Sequence, residues 1–424
     1  MGGSNQVENM SYVDIQHDAI DVFDDVEQAI VMKEDIWISG YQQGETSVHG
    51  KAMVEFEDGG SISIIARDGV NVERVTKTDF VVDIPALGIS KRPVHFPKHI
   101  LHPPYKKISD VDPPLQINAL AVNPKTPHIV IGGPDGYCMI LPTGVMASPE
   151  KDGVKLKGHV GDIRAVKWFP SGEVVLTASA DLTIRVFGMN GVNPRTFKGH
   201  SRAITSLVIL GVGKTFLSAA KDGTIRHWDV GSGQQLKQWT TGGEKGTLVI
   251  EAFILVEEST AIEALGLQGQ ERVMLVQDQL AVWVQPWDGE GWWVEADKQI
   301  ASLAYERETG TIAIGYSSGI VEIRDIASLI PGTIGKRKKI ARNESPIYSL
   351  AFGLDVKDGG MDLYLGTAAG LPCRLGVKCV ADGYQVVMKD ELAGWDAVGI
   401  ECMEAVRDGM WCGGGEGGLR RYTV

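Results

Sequence analysis

The chain has 424 residues, 43% hydrophobic and 22% charged, with 52 glycines and a formal net charge of −13. That length exceeds one ordinary core and requires several domains or a repeat, the glycine content asks for many turns between short strands, and the acidity excludes a generic binder of the nucleic-acid backbone, which needs clustered Lys and Arg. No apolar run approaches the ~18–20 residues of a membrane span, the N-terminus lacks the basic start and apolar block of a secretory signal, and Cys138, Cys373, Cys379, Cys402 and Cys412 lack CxxC spacing, so a soluble protein with buried thiols, without zinc or disulfides, is expected.

Residues 1–35 hold nine Asp/Glu against one Lys, which reads as an acidic, solvated lead-in. Residues 36–98 carry short strand-like runs (IWISGYQ, SVHGKAMVEFED, SISIIARDG, VERVTKTDFVVDIP) broken by DGG and RDG turns, the pattern of a small β-rich N-terminal domain. A proline-rich stretch from Pro85 to Pro114 links this domain to the rest of the chain.

Two segments then align without a gap at an offset of 41 residues: KGHVGDIRAVKWFPSGEVVLTASADLTIRVFG from Lys157 and KGHSRAITSLVILGVGKTFLSAAKDGTIRHWD from Lys198. Each divides into short apolar runs separated by turns. A unit of this period, opened by Gly-His and closed by Trp-Asp, resembles the WD40 repeat and implies a β-propeller. In that family a His, a turn Asp, a hydroxyl and the Trp form a hydrogen-bonded set. Carried over, the second unit supplies His200, Ser218, Asp222 and Trp228, and the first supplies His159, Ser179 and Asp181, with Phe187 in the place of the Trp.

Weaker copies with turn positions at Asp135, Glu258, Ser318, Ala369 and Glu416 extend the array to seven units. The expected fold is therefore all-β, a seven-bladed propeller over residues 99–424 preceded by the small domain. The final LRRYTV stops at the third strand of its unit, so a strand near residues 104–110 is expected to complete the last blade and close the ring.

No catalytic constellation is legible. GVGKT at residues 211–215 looks like the end of a phosphate loop, but Val208 stands where its first Gly belongs and FLSAA follows as a strand instead of a helix. The run His95, His99, His102 has no Cys nearby and no helix to hold it, and no G-x-S-x-G or H-E-x-x-H appears. No catalytic residue, cofactor or metal is expected. GGGEGG at residues 413–418 reads as a tight hairpin, GKRKKIAR at 335–342 as a solvated loop or else an import signal, and Trp287, Trp292 and Trp293 as loop packing or a partner contact.

A propeller without chemistry is a binding platform whose loops carry its function. The loops before the inner strands and those between the second and third strands share one face, which nominates Asp162, Arg202, Lys221, Glu344, Trp395, Asp396 and Glu416 as partner-binding residues.

Residues 157–231, together with the IWIS…SVHGKAM run at Ile36 to Met53, resemble the proteasomal ATPase-associated factor family. That resemblance implies a non-enzymatic assembly chaperone of the proteasome regulatory particle. It would be cytoplasmic and nuclear, and monomeric before it binds the C-terminal region of one AAA-type ATPase subunit within base-assembly intermediates, keeping that subunit from docking early on the core particle. Neither nucleic acid nor membrane is an expected partner. The alternative is a WD40 scaffold or substrate receptor in a ubiquitin ligase or in ribosome assembly.

Overall fold

The structure is a computed structural model that describes residues 6–57, 59–105, 115–144, 148–243, 246–354 and 360–424. Among these residues the chain from Ala119 onward forms seven antiparallel blades arranged in a ring. Blade 2 shows the plan: Ile163–Trp168 innermost, then Val174–Ser179 and Thr183–Gly188, with Arg195–Lys198 outermost. Blade 3 repeats it with Ile204–Leu210, Thr215–Ala220, Thr224–Asp229 and Gln235–Thr240. Each inner strand neighbours the next around the ring, including Ile400–Val406 of blade 7 beside Ala119–Val122 of blade 1.

Blade 7 takes Ile400–Val406, Gly409–Gly414 and Leu419–Thr423 from the C-terminal end of the chain and its outer strand from His99–Leu101, paired antiparallel as Leu419↔Leu101 and Arg421↔His99. The closing strand therefore lies just upstream of the expected 104–110. Pro103 and Pro104 explain the shift, because proline has no N–H to give a ladder; Pro104 and Tyr105 are not in a strand, and residues 106–110 lie outside the described residues.

Two devices join blade to blade, and both recur. Five inner strands carry a bulge at the same place, between Ile163/Ala165, Ile204/Ser206, Ile300/Ser302, Ile347/Ser349 and Ile400/Cys402. A bulge re-aims the side chain beside it, and here Ser302 Oγ donates to Ile347 O at 2.7 Å and Ser349 Oγ to Ile400 O at 2.8 Å, each reaching the next blade. The second device is a glycine on the second strand that receives the isoleucine of the following blade. A Cβ at Gly132, Gly315, Gly366 or Gly413 would lie 2.3–2.9 Å from a side-chain carbon of Ile163, Ile347, Ile400 or Ile117. The last of these carries the same joint across the closure of the ring.

Blade 4 departs from its expected layout. Glu258 is not at the turn between its second and third strands; it precedes the helix Ser259–Ala264, inserted between Ala252–Val256 and Val273–Gln277. Ala261, Ile262 and Leu265 are buried at helical spacing, which a strand reading of the same apolar run overlooks. GVGKT occupies the hairpin between the first two strands of blade 3, with Gly213 at φ +90°. GKRKKIAR is not a solvated loop: Arg337–Ala341 is the outer strand of blade 5, and Lys338 and Lys339 pair with Glu8 and Asp297.

The acidic lead-in belongs to the fold. Val7–Asn9 pairs parallel with Arg337–Ala341, and Tyr12–Ile15 begins a four-stranded sheet with Lys33–Tyr41, Val48–Phe56 and Ile62–Arg67. Between them the helix Ala19–Glu27 buries Ala19, Val22, Phe23 and Val26 against that sheet and leaves its carboxylates outside, where Asp24 meets Lys77 at 2.8 Å and Glu27 meets Arg74 at 2.6 Å. Charge density hid an amphipathic helix. The small domain's sheet thus starts at Tyr12, not near residue 36, and it is fused to the ring: Ile89–His95 pairs parallel with the outer strand of blade 6, Gly383–Leu392, through Glu391↔Val94 and Leu392↔His95.

His95 ties this junction electrostatically. Its Nδ1 lies 2.7 Å from Asp79 Oδ1 and its Nε2 3.2 Å from Asp390 Oδ1, while Lys98 stands 3.5 Å from Asp79 and Arg374 pairs with Asp390. Burial pulls the imidazole down, but the two carboxylates outweigh it and raise its pKa above the usual value. A raised histidine contributes stability that is complete below its unfolded pKa, near 6.5, and is lost as pH rises through the folded value. Hydrogen exchange of Ile89–His95 is therefore expected to speed up as pH rises above about 6.5, beyond its intrinsic pH dependence, and His95→Gln is expected to abolish the excess. An excess that persists in the variant would assign it elsewhere.

Candidate binding face

The two aligned units show how the sequence builds the loop ends. In blade 3, Trp228 Nε1 donates to Ser218 Oγ at 2.9 Å, Ser218 Oγ lies 2.8 Å from His200 Nε2, and His200 Nδ1 lies 3.0 Å from Asp222 Oδ2. The indole and the carboxylate fix the proton order of this chain: each group donates to the next, from Trp to Ser to His to Asp. Asp222 also accepts from Ser201 N, Thr224 N and Thr224 Oγ1. It thereby pins the loop before the inner strand to the turn between the second and third strands. Burial acts to raise its pKa, and the hydrogen bonds from His200, Thr224 and Ser201 prevail, holding it well below the usual carboxylate range.

Blade 2 corrects one assignment. The hydroxyl on His159 Nε2 is Thr177, at 2.8 Å, and not Ser179, which instead donates to Gly161 O at 2.7 Å and receives Asp181 N–H. Thr177 sits 41 residues before Ser218, so the alignment already contained the answer. Asp181 Oδ2 lies 2.8 Å from His159 Nδ1, and Phe187 ends the chain of donors one member early.

These networks present one face of the ring. On it Asp162 and Lys221 edge the central channel, a cavity of about 540 Å³ that also draws Arg164, Glu251 and Glu401 from inner strands or their starts. Asp162 lies 2.8 Å from Arg164, and Lys221 lies 2.9 Å from Glu251. Burial raises the Glu401 carboxyl above its ordinary range, against the lowering by Gln116 and Arg164. Sequence reasoning missed Arg164, Glu251 and Glu401 because it looked only at loops. The signal was there: polar residues at or just before the inner strands, where apolar neighbours take the buried positions.

Arg202, Glu344 and Asp396 are exposed on the same face. Glu344 also lines a smaller hollow beside Val7 and Asn9, and Asp396 lies 3.8 Å from His17 of the N-terminal domain. Trp395 and Glu416 do not belong to the surface set. Trp395 is 5% exposed with the Arg420 guanidinium 3.9 Å from its ring centroid, and Glu416 pairs with the same arginine while accepting Asp396 N–H at 2.5 Å. Both are spent on holding the last blade's loops. Trp287, Trp292 and Trp293 are likewise engaged within the molecule: Trp292 Nε1 donates to Leu329 O, Trp293 Nε1 to Gly242 O, and Trp287 stacks at a tilt on Trp239, with centroids 4.7 Å apart.

Comparison with known families agrees with this geometry. The family model described as WD domain, G-beta repeat matches residues 151–188 and 191–229, each span taking the outer strand of one blade and the first three strands of the next, those of blades 2 and 3. This chain carries WD40 repeats. The matched segments are those with the His–Asp networks, and the ring they belong to is a seven-bladed WD40 propeller whose other blades keep the strand plan without the full signature. Among curated relatives, the "Ubiquitin fusion degradation protein 3 homolog" of Caenorhabditis elegans is 36% identical over 126 residues, 29% of this chain and 14% of its own length. Human "Pre-mRNA-processing factor 17" is 36% identical over 95 residues, 22% of this chain and 16% of its own. The "26S proteasome regulatory subunit RPN14" of Saccharomyces cerevisiae is 35% identical over 88 residues, 20% of each chain. These WD40 matches thus span a fifth or less of the relatives' lengths.

Proposed function

We propose that this WD40 protein works by binding, without catalysis of its own, as an assembly chaperone of the proteasome regulatory particle. In this reading it holds the C-terminal region of one AAA-type ATPase subunit on its loop face and keeps that subunit from docking early on the core particle. The observation that carries it is the likeness of the WD40 segment to the yeast proteasome regulatory subunit, 35% over 88 residues. The excess of acid supports it: a chain of net charge −13 that exposes Glu344 and Asp396 on this face suits a basic partner, and complementary charge speeds encounter and rejects wrong partners.

A tagged pull-down tests the reading. Recovery of regulatory-particle ATPases without core-particle subunits is the expected result. The longer match to the ubiquitin fusion degradation homolog, 126 residues, favours a second reading as a scaffold in ubiquitin handling, and recovery of ubiquitin-ligase components without proteasomal ATPases would select it. For the face itself, Asp162→Lys, Glu344→Lys and Asp396→Lys together are expected to weaken ATPase binding roughly tenfold at low ionic strength and to flatten its salt dependence. Unchanged affinity in a titration would remove these residues from the interface.

A further inference from the structure

The joint between blades 6 and 7 differs from that between blades 2 and 3. In blade 2 the cross-strand pair that faces blade 3 is Leu176↔Val186; at the corresponding place blade 6 sets Tyr364↔Arg374, with Asp362↔Gly376 beside it. Tyr364, Arg374 and Asp362 give this face polar groups in place of Leu and Val, and Gly376 contributes no side chain. The result is a cavity of about 400 Å³ between the two blades, lined by Asp362, Arg374, Gly376, Lys378, Lys389 and Arg407 among others. It opens on the end of the ring opposite the loop face, among the turns between first and second and between third and fourth strands.

Its charge is not the background of the molecule. In a chain of net −13, the cavity wall has four cationic side chains against one carboxylate side chain, with Val424 also on the wall. Asp362 is already occupied, 2.5 Å from Lys389 and 3.1 Å from Arg374, and Arg374 turns its other edge to Asp390. Lys378 and Arg407 are exposed at the mouth, and among the described residues neither has an ion-pair partner. Two exposed cations lining a concave site, without an ion-pair partner among the described residues and with an anchored arginine beside them, match the oxygens of a phosphate or pyrophosphate group, and the volume lies in the range of small-molecule sites. We infer that this inter-blade cavity binds a small molecule bearing a phosphate or pyrophosphate group, with Lys378 and Arg407 as its primary contacts.

Calorimetric titration of the full chain with pyrophosphate, at ionic strength held constant with sodium chloride, tests this. Saturable binding in the submillimolar range is expected, weakened at least tenfold by Lys378→Glu with Arg407→Glu, two exposed positions whose change spares the core. Gly376→Val, whose Cβ would meet Lys389 Cε at 2.8 Å and Val387 Cγ2 at 3.1 Å, is expected to weaken it as well by pushing those side chains into the cavity while leaving Lys378 and Arg407 in place, with circular dichroism confirming that the variant is folded. Absence of binding, or equal affinity in the charge variant, overturns the inference. So does a loss in the charge variant with full binding in a folded Gly376→Val protein, because that pattern describes surface charge and not a cavity. Tighter binding of a polyglutamate peptide than of pyrophosphate would overturn it in favour of an acidic protein segment.

Discussion

Glu391→Ala is expected to cost about 3–5 kcal/mol, the range for breaking a buried ion pair by removing one partner. Glu391 ends the outer strand of blade 6 with its side chain 2% exposed. It lies 2.5 Å from Arg342, which follows the outer strand of blade 5, and 2.8 Å from Arg92 of the N-terminal domain, and it accepts Val13 N–H at 3.1 Å. Three parts of the molecule meet on one carboxylate. Alanine leaves two guanidinium groups, 3% and 13% exposed, without their counter-charge. Urea unfolding followed by limited proteolysis is expected to show the N-terminal domain released before the ring. Replacing both members of the inner pair, Arg342→Met with Glu391→Leu, is expected to restore part of the loss, since only the more exposed Arg92 is then left without its counter-charge. A loss below about 1 kcal/mol in the single variant would mean that water reaches the pair, as at an exposed salt bridge.

The second large effect belongs to Asp222. Asp222→Ala strips His200, Ser201 and Thr224 of a shared acceptor that is 6% exposed, and unsatisfied buried donors cost about 1–3 kcal/mol each. A total of about 3 kcal/mol is expected, measured as the shift in urea midpoint. The pH dependence carries a definite sign. Because the folded carboxyl is held below its ordinary value, its contribution is present above the unfolded pKa, about 4, and is lost as pH falls below it. The difference between the native protein and Asp222→Ala is therefore expected to be full at pH 6 and to shrink toward pH 3. A difference that holds constant across that range would show that the aspartate acts by shape alone.

How legible the molecule was depended on which interactions are local. Trp228, Ser218, His200 and Asp222 lie within one blade, so their spacing repeats in the chain and the network could be named in advance. Naming Ser179 in place of Thr177 departs from that same spacing, which already pointed to Thr177. The helix Ala19–Glu27 was also readable, from apolar residues three and four apart, and was obscured by weighing charge before periodicity. Surface membership was harder. Trp395 and Glu416 stand at loop positions by register, yet Arg420, a strand residue, draws both inward. Nothing in the sequence around either residue announces that contact.

What the sequence alone determined is the blade: its period, its alternating strands, the polar set at its loop end and the number of units in the ring. Each of these follows from contacts between residues less than about one repeat apart, and such contacts leave a periodic trace. Only the tertiary structure decided how the ring closes on His99–Leu101, where the N-terminal domain fuses to blades 5 and 6, and that one joint between blades opens into a charged cavity. Those features pair residues as far apart as Arg92 and Glu391, or depend on what faces Asp362 and Gly376 across a blade boundary. Burial and electrostatic pairing are settled by proximity in space, and over hundreds of residues a single sequence carries no period from which that proximity can be read.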